Sequence, residues 1–231
     1  MCRDMYTSGE YLQKNPTWDA EDAPWKVRHI LDIMKKNNID PVTICEVGCG
    51  AGEILVNLQR QLSDGKQFVG YEISPQAFEI CKPKSNDRLS FKLGDILKKE
   101  SYFDLILLID VIEHIEDYFH FLRELKSKSQ YKILHVPLDL SAQTILRISS
   151  ILRDRSKVGH VHYFTRELIL KVLEECGYDI IDEFYPQKYY NLLSRSFKTR
   201  LAECPRRILS AINQDFAVRL LGGRTLMVLV K

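Results

Sequence analysis

The stretch Ile44-Cys45-Glu46-Val47-Gly48-Cys49-Gly50-Ala51-Gly52-Glu53-Ile54 decides the fold. An apolar run that carries a single acid, Glu46, ends at three alternating glycines. Behind them Ile54, Leu55, Leu58 and Leu62 recur at helical spacing. The order is strand, glycine-rich turn, helix. Glycine allows positive φ and lets a backbone come close to a ligand, so the turn reads as a binding loop.

The same alternation continues outward. Trp25 to Lys36 places Val27, Ile30, Leu31 and Met34 on one helical face, with Pro24 in its first turn. "KQFVGYEIS" (66–74) predicts a second strand, and Ser74-Pro75 starts another helix. "LSFKLGDI" (89–96) and "FDLILLID" (103–110) predict strands three and four. The fourth is apolar almost throughout, as a strand covered on both faces should be. A helix on Phe119, Leu122 and Leu125 leads to the strand "YKILHVP" (131–137). Thr165 N-caps a helix whose apolar face is Leu168, Ile169, Val172 and Leu173, and Gly177 stops it. "YDIIDEFYP" (178–186) and "RTLMVLVK" (224–231) are the last strands. Helices alternating with strands imply a doubly wound, mostly parallel α/β sheet.

The 231 residues suit a single domain, and an apolar fraction of 45% suffices for a core. Net charge is +2, so no global field argues for nucleic acid or membrane. No apolar stretch approaches the ~20 residues that span a bilayer, and the N-terminus lacks a signal-peptide core. A cytoplasmic protein is expected. The six cysteines include no C-x-x-C pair, so they read as reduced, packed side chains.

Spacing selects the ligand. A dinucleotide fingerprint needs G-x-G-x-x-G, and here the third glycine comes one residue early. Glu46 would sit badly beside a pyrophosphate but suits a cation. Glu72, Asp95 and Asp110 close the next three strands. Four carboxylates at four successive strand ends describe a pocket for a nucleoside that carries positive charge.

"EVGCGAG" and "DVIEHIED" resemble motifs of the class I S-adenosylmethionine-dependent methyltransferases, in particular the small-molecule, sugar and lipid branches. The resemblance covers about Trp25 to Pro186 plus the last strand. It implies a Rossmann-like seven-stranded sheet with an antiparallel final strand. It also implies S-adenosylmethionine as cofactor and S-adenosylhomocysteine as product. Gly48, Cys49 and Gly50 would wrap the methionine part, and Glu46 would fix the loop. Glu72 would hold the ribose hydroxyls, with Ile73 against the adenine. Asp95 would accept from the adenine amino group beside Ile96. Asp110 and Val111 would flank the ammonium and sulfonium. Residues 1–24, rich in Tyr6, Tyr11 and Trp18, would form an N-terminal lid, and 138–164 and 187–224 would be substrate-side insertions within one domain, 1–231.

A hydroxyl acceptor can need a general base. His114, four residues past Asp110, is one candidate, though it could instead pack the following helix. His160 and His162 alternate around Val161, so in an extended loop they share a face and are further candidates. His29, His120 and His135 sit inside apolar-periodic elements and read as structural. No metal is expected, because two histidines without a nearby carboxylate offer too few ligands. In 187–224 eight basic residues face two acids, which suits an acidic acceptor or peripheral membrane contact. Nucleic acid is disfavoured, since strand four ends in Asp110-Val111-Ile112-Glu113 and not in the [D/N]-P-P-[Y/F] of base amino-methylation. The expected activity is methyl transfer to a small or carrier-linked molecule, at oxygen. The rivals are a non-catalytic cofactor-binding protein and, behind it, an NAD-dependent oxidoreductase.

Overall fold

The computed structural model describes residues 2–187 and 209–231. Its strands are β1 (Thr43–Val47), β2 (Gln67–Glu72), β3 (Leu89–Leu93), β4 (Phe103–Ile109), β5 (Ser129–Leu138), β6 (Ile180–Phe184) and β7 (Arg224–Val230). They form one sheet in the order β3-β2-β1-β4-β5-β7-β6. β1 pairs in parallel with both β2 and β4, whereas β7 runs antiparallel between β5 and β6. The strand order therefore reverses beside β1. In an open α/β sheet that reversal leaves a crevice at the carboxyl ends of the strands.

The helices are α1 (Cys2–Thr7), α2 (Glu10–Lys14), α3 (Ala23–Lys36), α4 (Glu53–Gln61), α5 (Pro75–Cys81), α6 (Tyr118–Lys126), α7 (Ala142–Leu146), α8 (Ser149–Lys157), α9 (Arg166–Glu175) and α10 (Gln214–Leu221). The period of two in β4 explains the layers. Leu105, Leu107 and Ile109 meet Val27, Ile30 and Ile33 of α3 and Leu55 and Leu58 of α4 in one core. Ile106 and Leu108 face the other core, with Leu122 and Leu125 of α6 and Ile169 and Leu173 of α9. Each such fully buried side chain contributes about 1.5–3 kcal/mol. Cys45, Cys49, Cys81 and Cys176 are free and buried, packed as small apolar residues.

The helix boundaries follow the capping signals. The Ser74 hydroxyl accepts from Ala77 N–H at 3.3 Å, and Thr165 does the same for Leu168 N–H at the same distance. Gly177 follows α9 with φ +84°.

Two expectations need correction. Ile33, not Leu31, completes the buried face of α3, and Leu168 of α9 is half exposed. The segment 138–164 carries two helices, α7 and α8. However, Ile145, Leu146 and Leu152 point outward and only Ile151 is buried. These helices sit off the sheet, with α7 against α10, so no core receives their apolar face. Of the basic stretch, Lys188, Arg195, Lys198, Arg200, Arg206 and Arg207 lie outside the described residues.

Candidate active site

A cavity of about 680 Å³ opens at the carboxyl ends of β1, β2 and β4. Its volume is in the usual range for small-molecule sites. Every residue expected to hold a cofactor lines it: Glu46, Gly48, Cys49, Gly50, Glu72, Ile73, Asp95, Ile96, Asp110 and Val111.

The glycine turn is tied to β2. Gly48 and Cys49 N–H both donate to the Tyr71 carbonyl, at 2.8 and 3.1 Å. Gly50 N–H donates to Glu72 Oε2, and Ile73 and Ser74 N–H donate to Oε1, each at 2.8 Å. Glu72 thus clamps the turn as well as facing the cavity. Burial pushes its carboxyl above the usual range, and the three N–H donors oppose that shift. Gly48 and Gly50 have φ of +69° and +51°. A Cβ on Gly48 would lie 3.1 Å from Val111 Cγ2, so a side chain there would crowd the floor of the cavity.

Glu46 is 2% exposed, and its Oε2 has no hydrogen-bond partner. Burial drives its carboxyl well up, with Lys26 only partly opposing. Asp95 Oδ1 caps the turn after β3 by accepting from Leu97 N–H at 2.9 Å. Asp110 has φ +55°, an uncommon left-handed conformation that Asp tolerates better than most residues. Its Oδ2 meets Lys26 Nζ and its Oδ1 meets His135 Nδ1, both at 2.6 Å. Burial works to raise its carboxyl, but His135 and Lys26 overcome this and hold it well below the carboxylate range. His135 is therefore not an inert core residue. The register pairs it with Ile109, which brings it beside the end of β4, and it lines the cavity.

Two of the three candidate catalytic histidines meet. The rings of His114 and His160 are 4.9 Å apart, and both line the cavity. His114 Nδ1 lies 3.1 Å from the Gly159 carbonyl and 3.0 Å from the Tyr6 hydroxyl, whose proton goes to the Val158 carbonyl. These partners leave Nδ1 as the protonated nitrogen and Nε2 with the lone pair. Burial and the neighbouring His160 lower the His114 pKa to about 4. His160 Nδ1 is held by Asp139 Oδ2 at 2.7 Å. His162 does not join them. His162 packs edge-on against Tyr118 and reaches the Glu116 carbonyl at 3.1 Å, outside the cavity lining.

Glu113 is a further polar residue of the site, beside His114 and His160. It is fully buried, and its carboxylate adjoins His114 and His160 in the cavity wall. Lys26 was also missed, because its spacing from Asp110 carries no local signal.

The N-terminal segment crosses the mouth. Tyr11 stacks on Tyr6 at 4.7 Å and approaches Trp18 at 4.6 Å between centroids, and all three rings line the cavity. Lys14 Nζ donates to the Ser156 carbonyl at 2.7 Å, and Gln76 Nε2 donates to the Thr7 carbonyl at 3.2 Å. These contacts tie the segment to α8 on one side and α5 on the other.

Residues 20–183 match the methyltransferase domain family. The chain belongs to that family. Its family and fold are those of the class I S-adenosylmethionine-dependent methyltransferases. It is similar to norajmaline N-methyltransferase of Rauvolfia serpentina, with 34% identity over 112 residues, 45% of this chain and 37% of that one. It is also similar to the ubiquinone biosynthesis O-methyltransferase of Pelagibacter ubique, with 27% identity over 114 residues, 44% of this chain and 46% of that one. The chain thus spans less than half the length of either relative. Among solved structures, the plantazolicin methyltransferase BpumL, in complex with a monoazolic desmethylPZN analogue and SAH, shares the fold. Its TM-score is 0.63 at 16% identity, covering 99% of this chain and 92% of that one. Among the described residues no helix is long and apolar enough to cross a membrane.

The residues fit the family's cofactor. Glu46 Oε2, Trp18 Nε1 and His135 Nε2, of three residues that line the cavity, are buried without partners. Orphaned polar atoms of this kind ask for a ligand. The acids outnumber Lys26, which suits a ligand bearing ammonium and sulfonium charges.

Proposed function

We propose that the chain transfers a methyl group from S-adenosylmethionine to an oxygen of a small or carrier-linked acceptor. The observation that carries this reading is the ring of strand-end carboxylates, Glu46, Glu72, Asp95 and Asp110, around one cavity that also holds His114 and His160. When bound, the cofactor supplies an electrophilic methyl on a sulfonium. The chain's own residues then have three tasks.

Glu72, Asp95 and the glycine turn fix the nucleoside and methionine ends. Asp110, kept ionised by Lys26 and His135, presents negative charge where the cationic end belongs. The segment of Tyr6, Tyr11 and Trp18 serves as a lid that excludes water and holds the acceptor against the methyl. Orientation of this kind can contribute roughly 7–11 kcal/mol in favourable cases. Activation of the hydroxyl falls to the polar cluster beside β4. Nε2 of the neutral His114 ring is the atom placed to take the acceptor's proton, a role typically contributing ~10²–10⁴-fold.

Purified protein incubated with S-adenosylmethionine and a panel of phenols, catechols, sugars and amines, with S-adenosylhomocysteine and products followed by mass spectrometry, tests the proposal. Methylated hydroxyl products support it. Products at nitrogen alone would replace oxygen with an amine acceptor, as the N-methyltransferase relative's name allows. Cofactor binding with no product from any acceptor class would favour the non-catalytic reading.

A further inference from the structure

We propose that Glu113, His114 and His160 form a binding site for one divalent transition-metal cation on the acceptor side of the cavity. One ligand atom from each lies within 4.8 Å of the others. Neither carboxylate oxygen of Glu113 has a hydrogen-bond partner, although the residue is 0% exposed. A buried carboxyl without donors either keeps its proton or ionises against a counter-charge such as a bound cation. Lys26 is already engaged by Asp110. The Glu113 backbone carbonyl accepts from Val161 and His162 N–H, at 2.8 and 3.1 Å. Those bonds pin Glu113 to the loop that carries His160.

The two imidazoles are oriented as ligands. His114 offers a carbonyl its Nδ1, and His160 offers a carboxylate its own, which leaves Nε2 of each for an ion. Metal-bound histidines are characteristically oriented by such a carbonyl or carboxylate on the other ring nitrogen. His114 Nε2 is 3.9 Å from Glu113 Oε1, a separation that a shared ion can bridge. Two imidazole nitrogens and one carboxylate oxygen suit zinc, cobalt, manganese or iron(II). They do not suit copper(I), which prefers thiolates, or the all-oxygen shells of magnesium and calcium. Three protein ligands leave positions open to the cavity. In the loaded form the histidines spend their lone pairs on the ion. An acceptor oxygen coordinated beside it would lose its proton to water more readily. That role rests on the methyl-transfer reading, but the binding itself does not.

The test uses the full chain, stripped with a chelator and without cofactor. It is titrated with Co²⁺, followed by visible absorption, and with Mn²⁺, followed by electron paramagnetic resonance. The expected result is one ion per chain, with a cobalt spectrum free of thiolate charge transfer. Glu113→Gln and His160→Gln should each weaken binding by about tenfold or more, and Asp139→Asn, which only loosens the hold on His160, by about tenfold. Retained S-adenosylhomocysteine binding shows that each variant is folded, and Asp139→Asn keeps the test open if a ligand variant is not. A wild type that takes up no stoichiometric ion, or variants that bind as tightly as wild type, would overturn the site. Metal uptake by a wild type that binds no S-adenosylhomocysteine would leave the metal site standing and sink the transfer reading.

Discussion

Lys26 Nζ of α3 lies 2.6 Å from Asp110 Oδ2 at the end of β4, so the helix that begins the fold is latched to the centre of the cavity. Lys26 is 12% and Asp110 30% exposed at their side chains, so the pair is poorly screened. Replacing Lys26 by Met removes one of the two side chains that hold Asp110 ionised. The variant is expected to lose about 1–3 kcal/mol of stability, the scale for a charged hydrogen bond. Urea unfolding at neutral pH measures it.

The same latch fixes an acid sensitivity. The Asp110 carboxyl is held well below its unfolded value. Below about pH 4 the unfolded chain takes up a proton that the folded chain refuses. The contribution is therefore complete above that pH and declines as the pH falls further. Wild type should lose melting temperature between pH 5 and pH 3 more steeply than Asp110→Asn. Parallel curves for the two proteins would show that Asp110 is not the group responsible.

Glu72 is predicted to serve both loop and ligand. Glu72→Ala removes the acceptor of three backbone N–H groups and a wall of the cavity. S-adenosylhomocysteine affinity should fall by about 1–3 kcal/mol. Calorimetric titration gives the affinity, and a thermal melt separates the ligand effect from loosening of the turn. Unchanged affinity would remove Glu72 from the cofactor site.

His114 titrates in a different window. Its pKa is lowered to about 4 by burial and His160, against about 6.5 in an unfolded chain. Between those values the unfolded state binds the proton and the folded state does not. Stability should therefore drop as pH falls from 6.5 towards 4, by up to about 3 kcal/mol. The buried Glu113 carboxyl, pushed up, acts in the opposite direction above its ordinary value. The informative quantity is the difference between metal-free wild type and His114→Gln, measured by denaturant unfolding at pH 7 and pH 5. A difference that does not change with pH would contradict the assignment.

Much of this architecture was legible in advance, for identifiable reasons. Strands and helices were readable because a short continuous apolar run, as in Leu105 to Ile109, marks a buried strand, and helical spacing survives in the local sequence, as at Ile54, Leu55 and Leu58. The cofactor residues were readable because strand ends in a doubly wound sheet converge, so one acid per strand becomes a ring. His135 and Lys26 were not, because their partner Asp110 is far along the chain and only sheet register and helix docking bring them to it. Glu113 was in plain view within "DVIEHIED", but a tight turn, not a helix face, aims it at His160. His162 misled because alternation along a loop does not fix where a side chain is held, and Tyr118 with the Glu116 carbonyl keeps this ring away from the cavity.

The chain has two tryptophans, Trp18 and Trp25, and both line the cavity. Trp18 lies against the glycine turn, with its Cε3 3.5 Å from the position of a Cβ on Gly50. Its Nε1 is buried without a partner. A cofactor in the turn must change the surroundings of that indole, by contact or by giving Nε1 an acceptor. Intrinsic fluorescence is expected to shift on adding S-adenosylhomocysteine, with a saturation curve matching calorimetry. Trp18→Phe should abolish most of the signal and weaken binding by about 1–2 kcal/mol, since the smaller ring covers less of the ligand and has no N–H to donate. Trp25→Phe should keep most of the signal, because Trp25 already donates its Nε1 proton to the Gln187 carbonyl at 2.9 Å. If Trp25→Phe instead removes the signal while Trp18→Phe leaves it whole, the N-terminal segment does not close over the cofactor and the lid assignment falls.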